Sequence, residues 1–354
     1  MRDNATAGWH FTGADGTFRL DTPHRTSYLY FPLVNEAGMM SAVTPTLHGD
    51  CKTGQNSFLT LPVSMEDLHN TRSARNFWVN IAGHGPWSAT GNSAPQAAQT
   101  FAADSDETVS LEAGLLWHKV TRRNARLGLV AEVMNFVPAG DPSPGDQVEL
   151  MQVTLTNIGS APLTLTPTAA IPIYGRSADN LRDHRHVTSL LHRIRTVRHG
   201  VEVCPTLTFD ERGHRPNSVT YAVLGAEGDG APPVSFFPVV EDFIGEGGSL
   251  EWPAAVVQAD ATGAGVGAAV DGYEAIGALR FADVALAPGE SRSYVLILAV
   301  LADGLGEPEE LVRRYGSAAR FADWLERTRT HWQGVVGPLA FRTADPRFDN
   351  WLKW

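Results

Sequence analysis

From residue 17 to residue 301 the chain is written in short alternating runs, each cut off by glycine, proline or a polar turn. LMQVTLTNIGSAPLTLT (150–166) shows the pattern. Met151, Val153 and Leu155 alternate with Gln152, Thr154 and Thr156, residues 157 to 162 carry turn chemistry, and Leu163 and Leu165 resume the alternation. A period of two puts successive side chains on opposite faces of a strand, so this stretch predicts a β-hairpin with one buried face. LGLVAEVMNFVP (127–138), SVTYAVLG (218–225) and SRSYVLILAVL (291–301) predict further strands, the last apolar enough to lie between two layers. With 34 Gly and 22 Pro punctuating such runs, the expected fold class is mainly β, a large antiparallel β-sandwich.

The pattern changes at Gly304. GLGEPEELVRRYGSAARFADWLERTRTHWQGVV (304–336) places Pro308 at a first helical position and Glu307, Glu309 and Glu310 at the positive end of a helix dipole. Leu311, Tyr315, Ala318, Ala322, Leu325 and Trp332 recur at helical spacing and predict one long helix with a single apolar stripe. The chain thus divides into a sandwich, residues 1–303, and a helical linker, residues 304–354. DPRFDNWLKW (345–354) closes on Trp351, Leu352 and Trp354 with no polar tail or stop signal, so the natural chain is expected to continue beyond Trp354.

The 354 residues are ample for a large core, and 43% hydrophobic with 19% charged is the composition of a folded chain. A formal net charge of -11 argues against a nucleic-acid partner, although a local basic patch over residues 182 to 198 is compatible with it. The two cysteines, Cys51 and Cys204, belong to no C-x-x-C pair, which favours a reducing compartment. The start MRDNATAGWHF does not read as a secretory signal, and no run approaches the ~20 apolar residues of a membrane span. The expectation is a cytoplasmic protein without a membrane partner.

Three segments concentrate polar chemistry. In residues 35 to 78, Lys52, Gln55, Asn56, Arg72 and Arg75 suit sugar hydroxyls or a phosphate. LHNTRSARNFW (68–78) sets planar donors beside Phe77 and Trp78, as stacking on a sugar face requires. Equally, such side chains satisfy backbone groups in long loops. GRSADNLRDHRHVTSLLHRIRTVRHG (175–200) holds Asp183, His184 and His186 among arginines. An H-x-H pair on a strand would face one way, but no third ligand has recognisable spacing, so no metal is expected, and a strand or loop beside an anionic ligand competes with a solvated basic face. In TLTFDERGHRPNS (206–218), Asp210 and Glu211 are adjacent, whereas paired glycosidase carboxylates face each other across about 5 to 9.5 Å, so a turn is expected there. FIGEGGSLEWP (243–253) lacks the context of a dinucleotide or phosphate loop and predicts tight turning.

FPLVNEAGMMSAVTPTLHGD, QNSFLTLPVSMEDLHNTRSARNFW, PTLTFDERGH, FIGEGGSLEWP and DPRFDNWLKW resemble the N-terminal part of glycoside hydrolase family 94 phosphorylases. The chain is similar in particular to the 1,2-β-oligoglucan phosphorylases, relatives of cellobiose phosphorylase. The resemblance implies a galactose-mutarotase-like supersandwich, a linker helix, and a catalytic (α/α)6 barrel beyond this chain. It implies an inverting phosphorolysis: phosphate attacks the anomeric carbon while a carboxylic acid protonates the leaving oxygen, releasing α-glucose 1-phosphate. No cofactor is implied, inorganic phosphate being the co-substrate.

The acid and the main phosphate ligands belong to the barrel in that family, so no catalytic residue is expected here and the chain alone is expected to be inactive. The implied partners are a β-glucan oligosaccharide and the barrel, with room for a homodimer and none for nucleic acid. Arg72, Arg75 and Trp78 are expected in a segment that covers the barrel mouth or packs on the linker. The alternative is a non-catalytic carbohydrate-binding or structural β-sandwich.

Overall fold

The computed structural model describes residues 8–26, 29–64, 68–140, 145–210, 213–302, 307–339 and 341–354. Two antiparallel sheets face each other. The larger, of 11 strands, runs in spatial order Trp9–Phe11, Phe18–Leu20, Glu107–Gly114, Trp117–Asn124, Leu129–Phe136, Val148–Asn157, Ser291–Leu301, Thr220–Glu227, Gly200–Val203, Arg193–Val197 and Ala269–Asp271. The smaller, of six strands, runs Ser235–Val239, Ala275–Arg280, Leu163–Ile173, Asn76–Ile81 and Gly85–Ser88, with Val284–Leu286 added beside Leu163–Ile173. A four-stranded sheet, Phe31–Val34 through Ser57–Phe58, sits beside them.

The alternation read in the sequence sets the core. Val133, Met151, Val153, Leu296 and Leu298 from the large sheet meet Phe77, Val79, Leu165, Ile171 and Phe281 from the smaller side. The Ser291–Leu301 strand does lie between two layers. Tyr294, Leu296, Leu298 and Val300 point into the sandwich, while Val295, Ile297 and Ala299 point outward and are covered by Leu311, Tyr315, Phe321 and Trp324 of the linker.

Two expectations fail in instructive ways. The residues 150 to 166 do not form a hairpin: Val148–Asn157 pairs with Leu129–Phe136 and Ser291–Leu301, whereas Leu163–Ile173 pairs with Asn76–Ile81, Ala275–Arg280 and Val284–Leu286. Asn157 Nδ2 donates to the Ala161 carbonyl and to that of Leu286 in the opposite sheet, which turns the connection into an arch across the core. Alternation reports which side is buried, and it is the same for both topologies.

The predicted single linker helix is two, Pro308–Tyr315 and Ala318–Val336. Gly316 packs so closely that a Cβ there would lie 2.6 Å from the Val312 carbonyl oxygen, and the Ser317 side chain caps the second helix by accepting from the Arg320 amide. The break resets the helical phase. Phe321, Trp324 and Thr328 are buried, while Ala322 is exposed and Leu325 and Trp332 are only half-buried. The glycines of residues 243 to 253 turn tightly as expected, Gly245 at φ 76° and Gly247 at φ 68°. Leu207–Asp210 pairs with Gly213–Pro216, and the turn predicted between them, with Glu211 and the Asp210 side chain, lies outside the described residues.

Candidate functional site

Arg75 begins at the point where the smaller sheet starts. Its guanidinium donates from Nε and Nη2 to the two oxygens of Glu149 at 2.7 and 2.8 Å, and from Nη1 and Nη2 to the Gly49 and Asp50 carbonyls. Burial opposes the charge, yet the Glu149 carboxylate holds the Arg75 pKa above its ordinary value. Trp78, three residues on, is fully buried with Phe237, Phe243 and Ile276. Both were candidate sugar contacts, and in this fold neither side chain has exposed surface. Nor does this segment pack on the linker, because Trp78 lies on the outer side of the smaller sheet and the linker covers the larger one.

Lys52 is occupied by Asp50 at 2.9 Å and lies over the Phe58 ring. Gln55 and Asn56 are exposed at a hairpin tip and hold the following loop, the Gln55 carbonyl accepting from the Ala178 amide and Asn56 Oδ1 from Ser177 Oγ at 3.1 Å. Of these side chains, Asn56 holds the following loop and Lys52 is paired, while Gln55 anchors it through its backbone carbonyl.

Arg72, Asp183 and His184 are brought together around an open cleft of about 490 Å³. The 3-10 turn Thr71–Ser73, capped by Asn70, presents Arg72 from one side. The segment following Ile173 supplies the other: it forms the 3-10 turn Ala178–Arg182 and the short helix Arg185–Ser189, not a strand, so the H-x-H geometry expected for His184 and His186 does not arise. The His186 side chain lies outside the described residues. Among the described residues, no group of three or more His, Cys, Asp and Glu is placed to hold a metal.

At its inner end the cleft narrows to a small pocket lined by Arg72, Arg176, Arg185, Tyr174, His192 and Glu274. Arg72 Nη1 lies 2.5 Å from Glu274 Oε2 and Arg185 Nε 3.5 Å from Oε1. Arg176 is 9% exposed, stacks on Tyr174 and donates to His192 Nε2 and Thr188 Oγ1. Accepting at Nε2 fixes the His192 tautomer, so its Nδ1 hydrogen is donated to the Tyr273 carbonyl at 3.1 Å. Burial, and then Arg176, push the His192 pKa down to about 3, and burial lowers that of Arg176 to about 10. Sequence reading missed Arg176 and Glu274. Their one signal was position, a charged residue at the end of a buried strand and at the start of another.

The cleft opens at the end of the sandwich marked by Arg75 and Glu149. The linker helix Ala318–Val336 reaches the same end, where Thr328 Oγ1 accepts from the Ala139 amide and Tyr315 donates to Asp146 at 2.8 Å. Among the described residues, no helix is long and apolar enough to cross a membrane.

Residues 89–318 match the family model described as "Glycosyl hydrolase 94, supersandwich domain". No curated protein matches the sequence. Among solved structures, a provisionally assigned kojibiose phosphorylase from the human microbiome is 8% identical over 89% of this chain and 31% of its own, with a TM-score of 0.36. A bacterial glucoamylase complexed with acarbose is 8% identical over 97% of this chain and 40% of its own, TM-score 0.41. A provisionally assigned aldose 1-epimerase from Escherichia coli K12 is 12% identical over 77% of this chain and 99% of its own, TM-score 0.32. The chain therefore spans about a third of the phosphorylase and two fifths of the glucoamylase.

Proposed function

The chain belongs to the glycosyl hydrolase 94 family through its supersandwich domain, and from that premise we propose that it is the N-terminal part of an inverting β-glucan phosphorylase. Its glucan is a β-1,2-linked oligosaccharide, and the general acid and co-substrate phosphate sit in a helical barrel joined through the linker. The observation that carries this reading is the family match over nearly two thirds of the chain. The quoted blocks outside residues 89–318 extend the resemblance toward both termini. The common orientation of cleft and linker supports it: a barrel reached through Ala318–Val336 would meet the end of the sandwich where Arg72, Asp183 and His184 stand. The two free cysteines, Cys51 buried and Cys204 exposed, suit a reducing, cytoplasmic setting.

The test is phosphorolysis by the native polypeptide from its source cell, with β-1,2- and β-1,4-glucooligosaccharides and phosphate as substrates. Release of α-glucose 1-phosphate from the β-1,2 series supports the reading, and an absence of release from either series rejects it. The 354 residues alone are expected to release none, because the proposal places the single general acid and the main phosphate ligands in the barrel. A second reading, a sandwich that binds sugar without turnover, is favoured by the 490 Å³ cleft being assembled within this chain. Saturable glucan binding by the native polypeptide without glucose 1-phosphate release would select it.

A further inference from the structure

The inner pocket of the cleft has a charge imbalance that the phosphorylase reading does not use. Its charged lining groups are Arg72, Arg176, Arg185 and the single carboxylate Glu274. Glu274 is shared between Arg72 and Arg185. Arg176, more than nine-tenths buried, has no carboxylate within ion-pair distance among the described residues, and its hydrogen-bond partners, Thr188 and His192, are both neutral groups. A buried cation without an anion is costly unless a partner is supplied. The chain as a whole is acidic, with a formal net charge of -11, so this convergence of guanidiniums is a local exception.

We propose that the pocket binds a phosphoryl dianion, as free phosphate or as the phosphate group of a sugar phosphate. Among the charged groups that line the pocket, three guanidiniums face one carboxylate, an excess that favours a dianion, while Asp183, which acts on Arg176, and Glu251, which is acted on by Arg72, stand outside the lining. A carboxylate ligand is satisfied by one guanidinium fork, whereas a phosphoryl group offers three terminal oxygens for donors arriving from three sides. Arg72 comes from the turn before the smaller sheet, Arg176 from the end of a central strand and Arg185 from the helical turn beyond it. The 490 Å³ cleft outside gives room for a sugar carried on the phosphate.

Calorimetric titration of the polypeptide with inorganic phosphate, glucose 1-phosphate and malonate, at matched ionic strength, tests it. Saturable binding of phosphate or glucose 1-phosphate, at least tenfold tighter than malonate, is expected. Preference between the first two identifies the source of the group. Arg185 is 49% exposed, so Arg185→Gln keeps the fold and is expected to weaken binding about tenfold. Glu274→Gln removes the competing carboxylate and is expected to tighten it several-fold. Opposite signs for these two variants are not produced by a structural role. Malonate binding as tightly as phosphate, no saturable binding, or both variants shifting the same way would overturn the proposal. None of these outcomes depends on glucan turnover, so failure here and failure of the phosphorylase reading are separable.

Discussion

Arg75 and Glu149 form a two-bond ion pair, 2.7 and 2.8 Å, in which neither side chain has any exposed surface. The pair joins the residue just before the Asn76–Ile81 strand of the smaller sheet to the central Val148–Asn157 strand of the larger one, and Asn135 adds a third donor to Glu149 at 3.2 Å. Its arginine also takes the carbonyls of Gly49 and Asp50. One side chain thus satisfies a loop backbone and fixes the two sheets at the end where the cleft opens.

Breaking this pair leaves a buried charge without its counter-charge, which costs about 3–5 kcal/mol. Arg75→Met and Glu149→Gln are each expected to lower unfolding free energy by about that amount, read from urea midpoints at unchanged slope. Arg75→Met/Glu149→Leu, which removes both charges, should cost less than the sum of the single variants. Strict additivity would show that the two residues act independently.

Gly49 is held beside this arginine at φ 138°, where a Cβ would lie 2.0 Å from the Ala42 carbonyl oxygen. Strain and overpacking together predict a loss of about 2 to 4 kcal/mol for Gly49→Ala. Gly54→Ala is the control, since no atom lies within 4 Å of its Cβ position, and its effect should stay within about 0.5 kcal/mol. Equal melting temperatures for the two variants would show that the loop yields.

Three buried histidines set the acid limit. His48, His118 and His192 have pKa values pushed down to about 3, in each case mainly by burial. Their unfolded values lie near 6.5, so between those limits the unfolded chain binds more protons and stability rises with pH. The contribution is complete above about pH 6.5 and is lost as the pH falls toward 3, by about 1.4 kcal/mol per pH unit for each histidine. His118→Gln is expected to reduce that slope by one proton. An unchanged slope would mean that His118 is not neutral in the fold.

The sandwich was legible because alternation is a direct record of burial. Met151, Val153 and Leu155 do point into the core, and the Ser291–Leu301 strand is covered on both faces. The arch between Asn157 and Leu163 was not legible, since the choice between a hairpin and a sheet crossing depends on a contact to Leu286, 129 residues away. In the cleft, Arg72, Asp183 and His184 were found from local density of polar residues. Arg75 and Trp78 carry the same residue chemistry but are consumed by tertiary contacts to Glu149 and Phe237. Glu274 was missed because its partners, Arg72 and Arg185, are distant in sequence.

The linker offers the sharpest contrast between the two registers. A continuous helix from Leu311 would bury Ala322, Leu325 and Trp332, whereas the break at Gly316 and Ser317 buries Phe321 and Trp324, 1% and 8% exposed. Phe321 packs edge-on against Phe136 at 4.9 Å between ring centres. Phe321→Ala is therefore expected to cost about 3–5 kcal/mol, and Ser317→Ala about 1 kcal/mol through loss of the cap. Trp332→Ala removes a larger side chain from a half-buried position and should cost less than Phe321→Ala. Chemical denaturation of the three variants decides the register. The reverse order for Phe321 and Trp332 would restore the unbroken helix, and would leave Leu311 and Tyr315 to cover the outer face of the Ser291–Leu301 strand without Phe321 and Trp324.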